Sequence, residues 1–424
     1  MKPENFLASS LRKKANLYMK DKNIPRLRFP GFTEPWEHRK LEDLVSQIFR
    51  EVPKPDHPYE RISVRSHAKG TFHQQVEDPD KVAMDKLFLV KENDLIVNIT
   101  FAWEHAIAVA TKEDDGLYVS HRFPTYRADG KSDIEFIHYL VSQESFRKKL
   151  ELISPGGAGR NRVMNQKAFL GLPVIVPSNI EEQHQIGMFF TTIDHTITLH
   201  QRKLDNLQKL KKGLLQKMFP KEGSSFPELR FPEFTDAWEQ RQLKDISRRI
   251  QGNDGRMNLP TLTISAGNGW MRQEDRFSAN IAGNEQKNYS LLKKGDLSYN
   301  HGNSKLAKYG AVFELIDYPE ALVPRVYHSF RMINGSPSFI DYLFKTGRPD
   351  NELRKLVSSG ARMDGLLNIN YDEFSNITLS IPNVDEQIRI GNFFRQLDNL
   401  ITLHQRKLDD LKKLKKGLLQ AMFV

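Results

Sequence analysis

Two glycine-containing loops of the sequence carry side chains suited to hydrogen bonding with nucleic-acid bases. The first spans residues 154–162 and ends with Arg160, Asn161 and Arg162. Arginine pairs with guanine through two hydrogen bonds, asparagine pairs with adenine in the same way, and glycine amides can approach phosphates closely. A shorter counterpart in the second half of the chain contains Arg362. We expect both loops to contact DNA.

Polar and aromatic side chains also follow short β-rich runs at matching positions in the two halves of the chain. The DNA contacts predicted from these regions are Asn98, Thr100, Trp103, His121, Arg122, Tyr299, Asn300, His301, Asn303, Lys305 and Arg325. For each residue taken alone, a solvated surface loop is the simpler explanation. For the group we favour DNA contact, because both halves place such residues at equivalent positions.

The sequence contains no motif that would supply catalytic chemistry of its own. It has no cysteine, which excludes disulfides, thiolate zinc sites and cysteine nucleophiles. The Walker A pattern and His-Glu-x-x-His are absent. No Pro-Pro dipeptide is present to form the Asn/Asp-Pro-Pro-aromatic motif of adenine methyltransferases. We therefore expect a binding protein with no catalytic residue, metal or bound cofactor.

Composition points to a polyanionic partner. The formal net charge is +10 and the isoelectric point is about 9.4, and basic proteins gain affinity for nucleic acids by releasing counterions. No apolar run reaches the ~20 residues that span a bilayer. Residues 1–23 are basic and lack the apolar core of a signal peptide. Together with the lack of cysteine, these features favour the cytoplasm.

The chain repeats itself with a period near 200 residues. Residues 26–37 return as 228–239, and residues 183–219 return as 387–423 with 26 of 37 positions identical. Most residues between these segments differ, apart from echoes such as an Asp-Leu-x-x-Asn pattern that starts at residues 94 and 296. The pattern indicates a duplicated domain, each copy followed by a nearly constant helix.

The two constant segments have the 3.5-residue apolar spacing of a coiled coil. The predicted seam residues are Ile186, Phe190, Ile193, Ile197, His200, Leu204, Leu207, Leu214, Met218, Ile390, Phe394, Leu397, Ile401, His404, Leu408, Leu411, Leu418 and Met422. We expect an antiparallel pair, because the linker 221–227 spans at most ~25 Å and must carry the chain from the end of one helix into the next domain.

Polar residues interrupt both seams and leave two interpretations open. His200, Lys211, His404 and Lys415 either set the register of the helices or lie at a loose edge with their charged ends in solvent.

Other features mark the ends and interiors of the helices. The patterns Asn179-x-x-Glu182 and Asn383-x-x-Glu386 predict capping boxes at the helix starts. Gly213 and Gly417 should each cost ~1 kcal/mol relative to alanine inside a helix, so we expect either the close approach of a partner or a local bend there.

The predicted fold class is therefore α/β, with two mixed α/β domains separated by an antiparallel coiled coil of two long helices and related by an internal pseudo-two-fold duplication. Each domain should contain one clear helix, near 134–152 and 338–357, and short strands within 94–99, 106–110, 309–315 and 377–381. The predicted divisions are a basic extension 1–25, domain 26–177, helix 178–220, linker 221–227, domain 228–382 and helix 383–424.

The motifs of the repeat resemble those of the specificity subunits of type I restriction–modification systems. The resemblance rests on Leu-Arg-Phe-Pro-x-Phe…Trp-Glu at the opening of each half and on Leu-His-Gln-Arg-Lys-Leu-Asp…Lys-Lys-Gly-Leu-Leu-Gln-x-Met-Phe at its close. The loop at 155–162 is similar to part of a target-recognition domain of that family. The resemblance covers residues 26–424, and residues 1–23 are longer and more basic than the usual leader.

The resemblance implies a division of labour. Each target-recognition domain would read one half of a bipartite, asymmetric site in double-stranded DNA, and the helices would fix the gap between the halves. The helices would also dock two methyltransferase subunits that use S-adenosylmethionine, and restriction subunits that use ATP and Mg would join the complex. An alternative is a coiled-coil scaffold that presents two protein-binding modules, for which we would expect no salt-dependent affinity for DNA.

Overall fold

The computed structural model describes residues 23–157, 162–277, 283–302, 305–357 and 367–424. The chain forms two compact units. Unit 1 contains the chain up to Leu199 together with Leu408–Val424, and unit 2 contains His200–Lys407. Each unit therefore combines one of the two divergent domains, here called its block, with parts of both constant segments.

Unit 1 is a mixed α/β structure with two main sheets. Its strands are β1 (Glu37–Lys40), β2 (Ser46–Ile48), β3 (Glu51–Pro53), β4 (Tyr59–Val64), β5 (Thr71–Val76), β6 (Lys86–Leu89), β7 (Leu95–Val97), β8 (Ile107–Val109), β9 (Tyr118–Val119), β10 (Thr125–Arg127) and β11 (Pro173–Val176). Strands β2-β10-β7-β8 form an antiparallel sheet, β3-β6-β9-β4-β5 form a mixed sheet, and β1 pairs with β11. The helices of the block are α1 (Ile134–Val141), α2 (Glu144–Leu152) and α3 (Gln166–Leu170). The long helix α4 (Ile180–Lys217) follows them.

Unit 2 repeats the central part of this topology. Its elements are β12 (Glu239–Gln242), α5 (Leu243–Ile246), β13 (Ser247–Arg249), β14 (Leu262–Ser265), β15 (Gly269–Arg272), α6 (Gln273–Phe277), β16 (Ser290–Lys293), β17 (Leu297–Asn300), β18 (Ala311–Glu314), β19 (Glu320–Val323), β20 (His328–Met332), α7 (Pro337–Lys345), α8 (Asp350–Leu356), α9 (Tyr371–Ser375), β21 (Thr378–Ile381) and the long helix α10 (Val384–Met422). The sheet β13-β20-β17-β18 has the order of β2-β10-β7-β8, and the pair β12-β21 repeats β1-β11. These equivalences confirm the predicted duplication of a mixed α/β domain.

The single helix predicted in each block is in fact two helices, so that prediction was wrong in detail. In unit 1 the break falls at Ser142, whose hydroxyl donates to the carbonyl of His138 and so competes with the helical pattern. In unit 2 the break falls between α7 and α8, where Gly347 has a φ of 72°. Pro349 follows shortly, and a proline disfavours the helical conformation of the residue before it.

The close of each repeat packs into a hydrophobic core. Phe423 stacks on Phe136 with 5.4 Å between ring centroids, and Phe219 stacks on Phe339 at 5.5 Å. The tryptophan of the opening motif meets each stacked pair edge-on. Phe219 is buried and Phe423 is half-buried, and burial of a phenylalanine contributes up to about 1.5–3 kcal/mol. The close of each repeat is therefore held against the opening of the other repeat.

The long helices pair antiparallel within each unit, as predicted. In unit 2, His200 of α4 meets His404 of α10 with 2.9 Å between the Nδ1 atoms, and Lys211 meets Asp398 at 2.5 Å. Residue numbers therefore rise along one helix as they fall along the other. In unit 1 the same arrangement brings Lys415 to 2.6 Å from Asp194.

The predicted seam residues lie along this pairing. Ile186, Phe190, Ile193, Leu204, Leu207, Met218, Ile390, Phe394, Leu397, Leu408, Leu418 and Met422 are buried, and Ile197, His200, Leu214, Ile401, His404 and Leu411 are half-buried. Each seam lysine also lies over a tyrosine ring, Lys211 over Tyr342 and Lys415 over Tyr139. Both tyrosine hydroxyls donate to the aspartate that pairs with the same lysine. The polar seam residues thus have specific partners, which favours a role in register over a loose edge.

The glycines that allow close approach within this chain are not the two singled out from the sequence. A Cβ added at Gly187 would lie 2.7 Å from Glu135 Cβ and from the Phe136 amide nitrogen, and one added at Gly391 would lie 2.9 Å from Ser338 Cβ. A Cβ at Gly213 or Gly417 would meet no described atom within 4 Å. The long helices therefore cross the first turns of α1 and α7 closely.

The predicted capping boxes are only half formed. Asn179 accepts from the Glu181 amide at 2.8 Å, and Asn383 accepts from the Glu386 amide at 2.9 Å. The glutamates do not complete the boxes by bonding back to these caps. Glu182 and Glu386 are buried and accept paired hydrogen bonds from the arginines of the opening motifs.

Candidate nucleic-acid interface

Three loops of unit 1 meet where β7 ends. The Ile99 amide, just after β7, donates to the Arg122 carbonyl at 3.0 Å, and the Met164 amide donates to the Ile99 carbonyl at 2.8 Å. Arg122 lies in the segment that enters β10, and Met164 closes the glycine-containing loop. The structure therefore brings together three regions that the sequence analysis selected separately.

Two predicted contacts in this junction shape the loop that follows β7. Asn98 and Thr100 are both buried. Asn98 Oδ1 accepts from the Thr100 amide at 3.1 Å, and the Thr100 hydroxyl oxygen accepts from the Arg122 guanidinium at 3.2 Å. Arg122 and His121 are exposed. The exposed pair can reach a ligand, whereas Asn98 and Thr100 hold the loop that presents it.

Trp103 and Arg162 close the base of the glycine-containing loop. The Arg162 guanidinium lies 5.0 Å from the Trp103 ring centroid and donates to the Ser154 carbonyl at 3.1 Å. A guanidinium held in this way has part of its hydrogen-bonding capacity already used. Arg160 and Asn161 lie outside the described residues.

Unit 2 contains the equivalent junction. The Leu367 amide donates to the His301 carbonyl at 2.8 Å, which repeats the Met164–Ile99 bond. Asn300 Oδ1 accepts from the Gly302 amide at 3.1 Å, as Asn98 does from Thr100. The same two loops therefore meet at the end of the same strand in both units, although their side chains differ.

Two residues predicted as DNA contacts in unit 2 are buried, and we correct their assignment. Tyr299 is 0% exposed, stacks on Phe374 at 4.3 Å and donates its hydroxyl to the Tyr309 carbonyl. The His301 ring nitrogens lie 2.9 and 3.0 Å from the carbonyl oxygens of Leu367 and Val326. A side chain enclosed in this way supports the junction rather than touching a duplex.

Asn300 is half-buried, and the remaining predicted residues of unit 2 divide between exposed and undescribed positions. Lys305 and Arg325 are exposed. Asn303 and Arg362 lie outside the described residues. Next to this junction, burial lowers the pKa of His328 to about 4, and its Nε2 lies 2.9 Å from the Ile369 carbonyl.

Buried carboxylates stabilise the strands behind both junctions. Asp94 is fully buried and pairs with Arg50 at 2.5 Å, and it also accepts from the Lys91 amide. Asp296 pairs with Arg331 at 2.5 Å and accepts from an equivalent amide. The Asp-Leu-x-x-Asn echo is thereby explained, because its aspartate fixes the turn before the strand and its asparagine fixes the loop after it.

Sequence reasoning missed exposed apolar residues beside these junctions. Phe49 is 72% exposed and directly follows Ile48, which pairs with Thr125 at the start of β10. Leu306, just after the junction in unit 2, is 79% exposed. Apolar residues in a sequence are normally assigned to the core, so their exposure could be found only from the structure.

The long helices carry a second candidate surface. The segments Ile197–Asp205 and Ile401–Asp409 are identical, and the identity extends to residues that face solvent. Leu199 and Leu403 are 50% and 61% exposed, respectively. Packing along the seam does not require such residues to be alike, so they are suited to binding the same partner twice.

The fold and these sites define a duplicated mixed α/β protein with one loop junction in each repeat and paired antiparallel helices. The family model of the type I restriction modification DNA specificity domain matches residues 33–209 and 235–413. The chain belongs to that family, which confirms the resemblance seen in its motifs.

Individual relatives extend over most of the chain. It is 22% identical over 432 residues to the type I restriction enzyme MjaVIII specificity subunit of Methanocaldococcus jannaschii, with 96% of both proteins covered. It is 25% identical over 240 residues to the putative type I restriction enzyme MjaX specificity subunit of that organism, with 53% of this chain and 56% of the relative covered. The crystal structure of the S subunit of a type I restriction–modification system from M. genitalium has a similar fold, with a TM-score of 0.57, 14% identity and coverage of 95% of this chain and 99% of that one.

The described part of the chain has neither a membrane-spanning helix nor a metal-binding cluster. None of its helices is both long enough and apolar enough to cross a bilayer. Its histidines and carboxylates form no group of three or more that could hold a metal ion.

Proposed function

We propose that this chain is the DNA-reading subunit of a type I restriction–modification complex, and that each unit reads one half of a bipartite, asymmetric site. The observation that carries the proposal is the repeated loop junction. Both units bring the same pair of loops together at the end of the same strand, with Arg122 exposed in one and Arg325 in the other. A shared scaffold with different side chains suits two different sequences.

The helices would dock the other subunits of the complex. Identical exposed residues on two helices are expected for two copies of one methyltransferase subunit, which would use S-adenosylmethionine. Restriction subunits that use ATP and Mg would complete the assembly. In this proposal the chain itself performs no catalysis and binds no cofactor, and it acts on DNA in the cytoplasm.

Genome-wide mapping of adenine methylation tests the proposal. The chain is expressed with its methyltransferase subunit, and the methylated sequence is compared between wild type, Arg122→Ala and Arg325→Ala. We expect Arg122→Ala to weaken discrimination in one half-site by about 1–3 kcal/mol, the range for one specific base contact. Arg325→Ala should affect the other half-site.

The two variants serve as matched controls for each other. Each removes one exposed arginine from the equivalent loop of its own unit, and thermal unfolding of both variants identifies any general loss of folding. If each variant impairs both halves equally, or if methylation does not depend on this chain, the proposal fails.

A further inference from the structure

The hairpin that joins β4 to β5 in unit 1 ends in an exposed tip rich in basic side chains. Arg65, His67 and Lys69 are all exposed there. None of them belongs to the loops selected from the sequence. Because Arg65 and Lys69 lie on one short exposed turn, the tip presents two positive charges close together.

This tip is attached to the loop that carries the candidate interface. The His67 amide donates to the Glu104 carbonyl and the Ala68 amide donates to the His105 carbonyl, both at 2.8 Å. The Ser66 hydroxyl donates to the Glu104 carboxylate at 2.7 Å. Glu104 directly follows Trp103, so these bonds hold the tip beside the junction.

The backbone at this attachment is strained. His67, Ala68 and His105 have φ values of 63°, 50° and 66°. Residues with a Cβ rarely adopt this left-handed conformation, and they keep it only where surrounding contacts impose it, commonly at functional sites. Here the three residues meet through the two backbone bonds just described, so the contacts that impose the conformation also place the tip.

The basic side chains of the tip have different surroundings. The Arg65 guanidinium lies 5.0 Å from the Phe72 ring centroid and donates to the Thr71 carbonyl, so it braces the hairpin. The Glu104 carboxylate accepts from Ser66. Lys69 and His67 are therefore the groups best placed to meet a ligand from solvent.

Unit 2 has a hairpin in the same place but without the charge. Strands β14 and β15 are joined by Ala266, Gly267 and Asn268. The Asn300 side chain donates to the Ile264 carbonyl at 3.3 Å, so this hairpin also borders the loop after the sheet strand. The duplication has kept the position of the hairpin and changed the chemistry of its tip.

We propose that the β4–β5 tip is a third DNA-contacting element of unit 1, in which Lys69 and His67 contact backbone phosphates beside the half-site. This inference rests on the proposed function. Phosphate is the expected ligand, because a lysine ammonium is a point charge that lacks the planar geometry used to read a base. The tip would therefore strengthen and orient binding by unit 1 without changing the sequence that it prefers.

Salt-dependent binding of the full-length chain tests the inference. The probe is a fluorescently labelled duplex of mixed sequence, and affinity is measured by anisotropy over a series of salt concentrations. Loss of one phosphate contact lowers the slope of log K against log salt by about 0.9, which corresponds to about eightfold weaker binding near 0.1 M salt. We expect this change for Lys69→Ala. His67→Gly, which keeps access to the left-handed conformation, should also weaken binding uniformly across sequences.

Two control variants separate charge from folding and conformation. Lys81→Ala removes an exposed lysine that follows the far end of β5, and Ala68→Gly relieves strain without removing charge. Both should keep the wild-type slope, and thermal unfolding should show that every variant is folded. A wild-type slope for Lys69→Ala, together with weaker binding by Arg122→Ala, would refute the inference and leave the proposed function standing. If the wild-type chain shows no salt-dependent affinity at all, the proposed function fails as well.

Discussion

Removal of the Glu182 carboxylate is expected to destabilise unit 1 strongly. Glu182 is 1% exposed and lies 2.5 and 2.7 Å from the two guanidinium nitrogens of Arg28 that donate to it, and 3.3 Å from the Trp36 indole nitrogen. Glu182→Ala would leave the Arg28 guanidinium and the Trp36 indole N–H without their acceptor. Breaking a buried ion pair from one side typically costs 3–5 kcal/mol. Because the Arg28 side chain keeps 11% exposure, we expect about 3 kcal/mol.

The assay must report on each unit separately, because a chain with two units need not unfold in one step. Urea unfolding followed by hydrogen exchange and mass spectrometry distinguishes peptides of unit 1 from those of unit 2. Glu386→Ala is the matched control, since Glu386 accepts from Arg230 at 2.7 and 2.8 Å in unit 2. Each variant should lower protection in its own unit.

A double variant separates the charge from the packing. Arg28→Met combined with Glu182→Leu removes both charges, and exchange of a buried ion pair for apolar residues is often close to neutral. We therefore expect the double variant to recover most of the stability that Glu182→Ala loses. A loss below about 1 kcal/mol for Glu182→Ala, which is the range of exposed pairs, would show that the pair does not hold the opening motif to α4.

Two further predictions concern the helices and the response to pH. Gly187→Ala should destabilise unit 1 by about 2 kcal/mol, because its Cβ would overlap α1. Gly213→Ala lies in open space and should stabilise the chain by up to ~1 kcal/mol. The urea midpoints of unit 1 and unit 2 measure the two effects, and equal effects would contradict the crossing of α4 with α1. Burial holds the pKa of His328 at about 4, below the ordinary value of 6.5, so the unfolded chain takes up a proton first as the pH falls. The contribution of this group to stability is complete above pH 6.5 and is lost between 6.5 and about 4, by at most about 3 kcal/mol. His328→Gln should flatten that part of the stability profile of unit 2, and an unchanged profile would refute the assignment.

The sequence alone was sufficient for the features that recur at regular spacing. The duplication and the two long helices follow from the repeat and from the 3.5-residue pattern, the antiparallel direction follows from the short linker 221–227, and the mixed α/β class follows from the short strands and helices of each domain. Both are properties of residues close together in the chain or copied within it. The lysines of the seam could be placed on the correct face, but their partners Asp194 and Asp398 could not be identified.

Contacts between distant parts of the chain decided what the sequence could not. Glu182 has the spacing of a capping residue, yet its carboxylate forms an ion pair with Arg28, which lies 154 positions earlier. Tyr299 and His301 have the composition of an exposed binding loop, but strand pairing and the packing of Phe374 bury them. The site was thus predicted at the level of loops, and the structure was needed to separate side chains that face solvent from those that support the loops.

The packing of Phe423 against the core of unit 1 has a consequence for synthesis on the ribosome. The block of unit 1 is translated first, but Leu408–Val424 emerges only after all of unit 2 has been made. Until then the aromatic pocket around Phe136 lacks its closing side chain. Domains generally fold in the order of translation. Here unit 1 is the first to be synthesised but the last that can complete its folding, and its nascent form keeps apolar surface exposed until Leu408–Val424 is made.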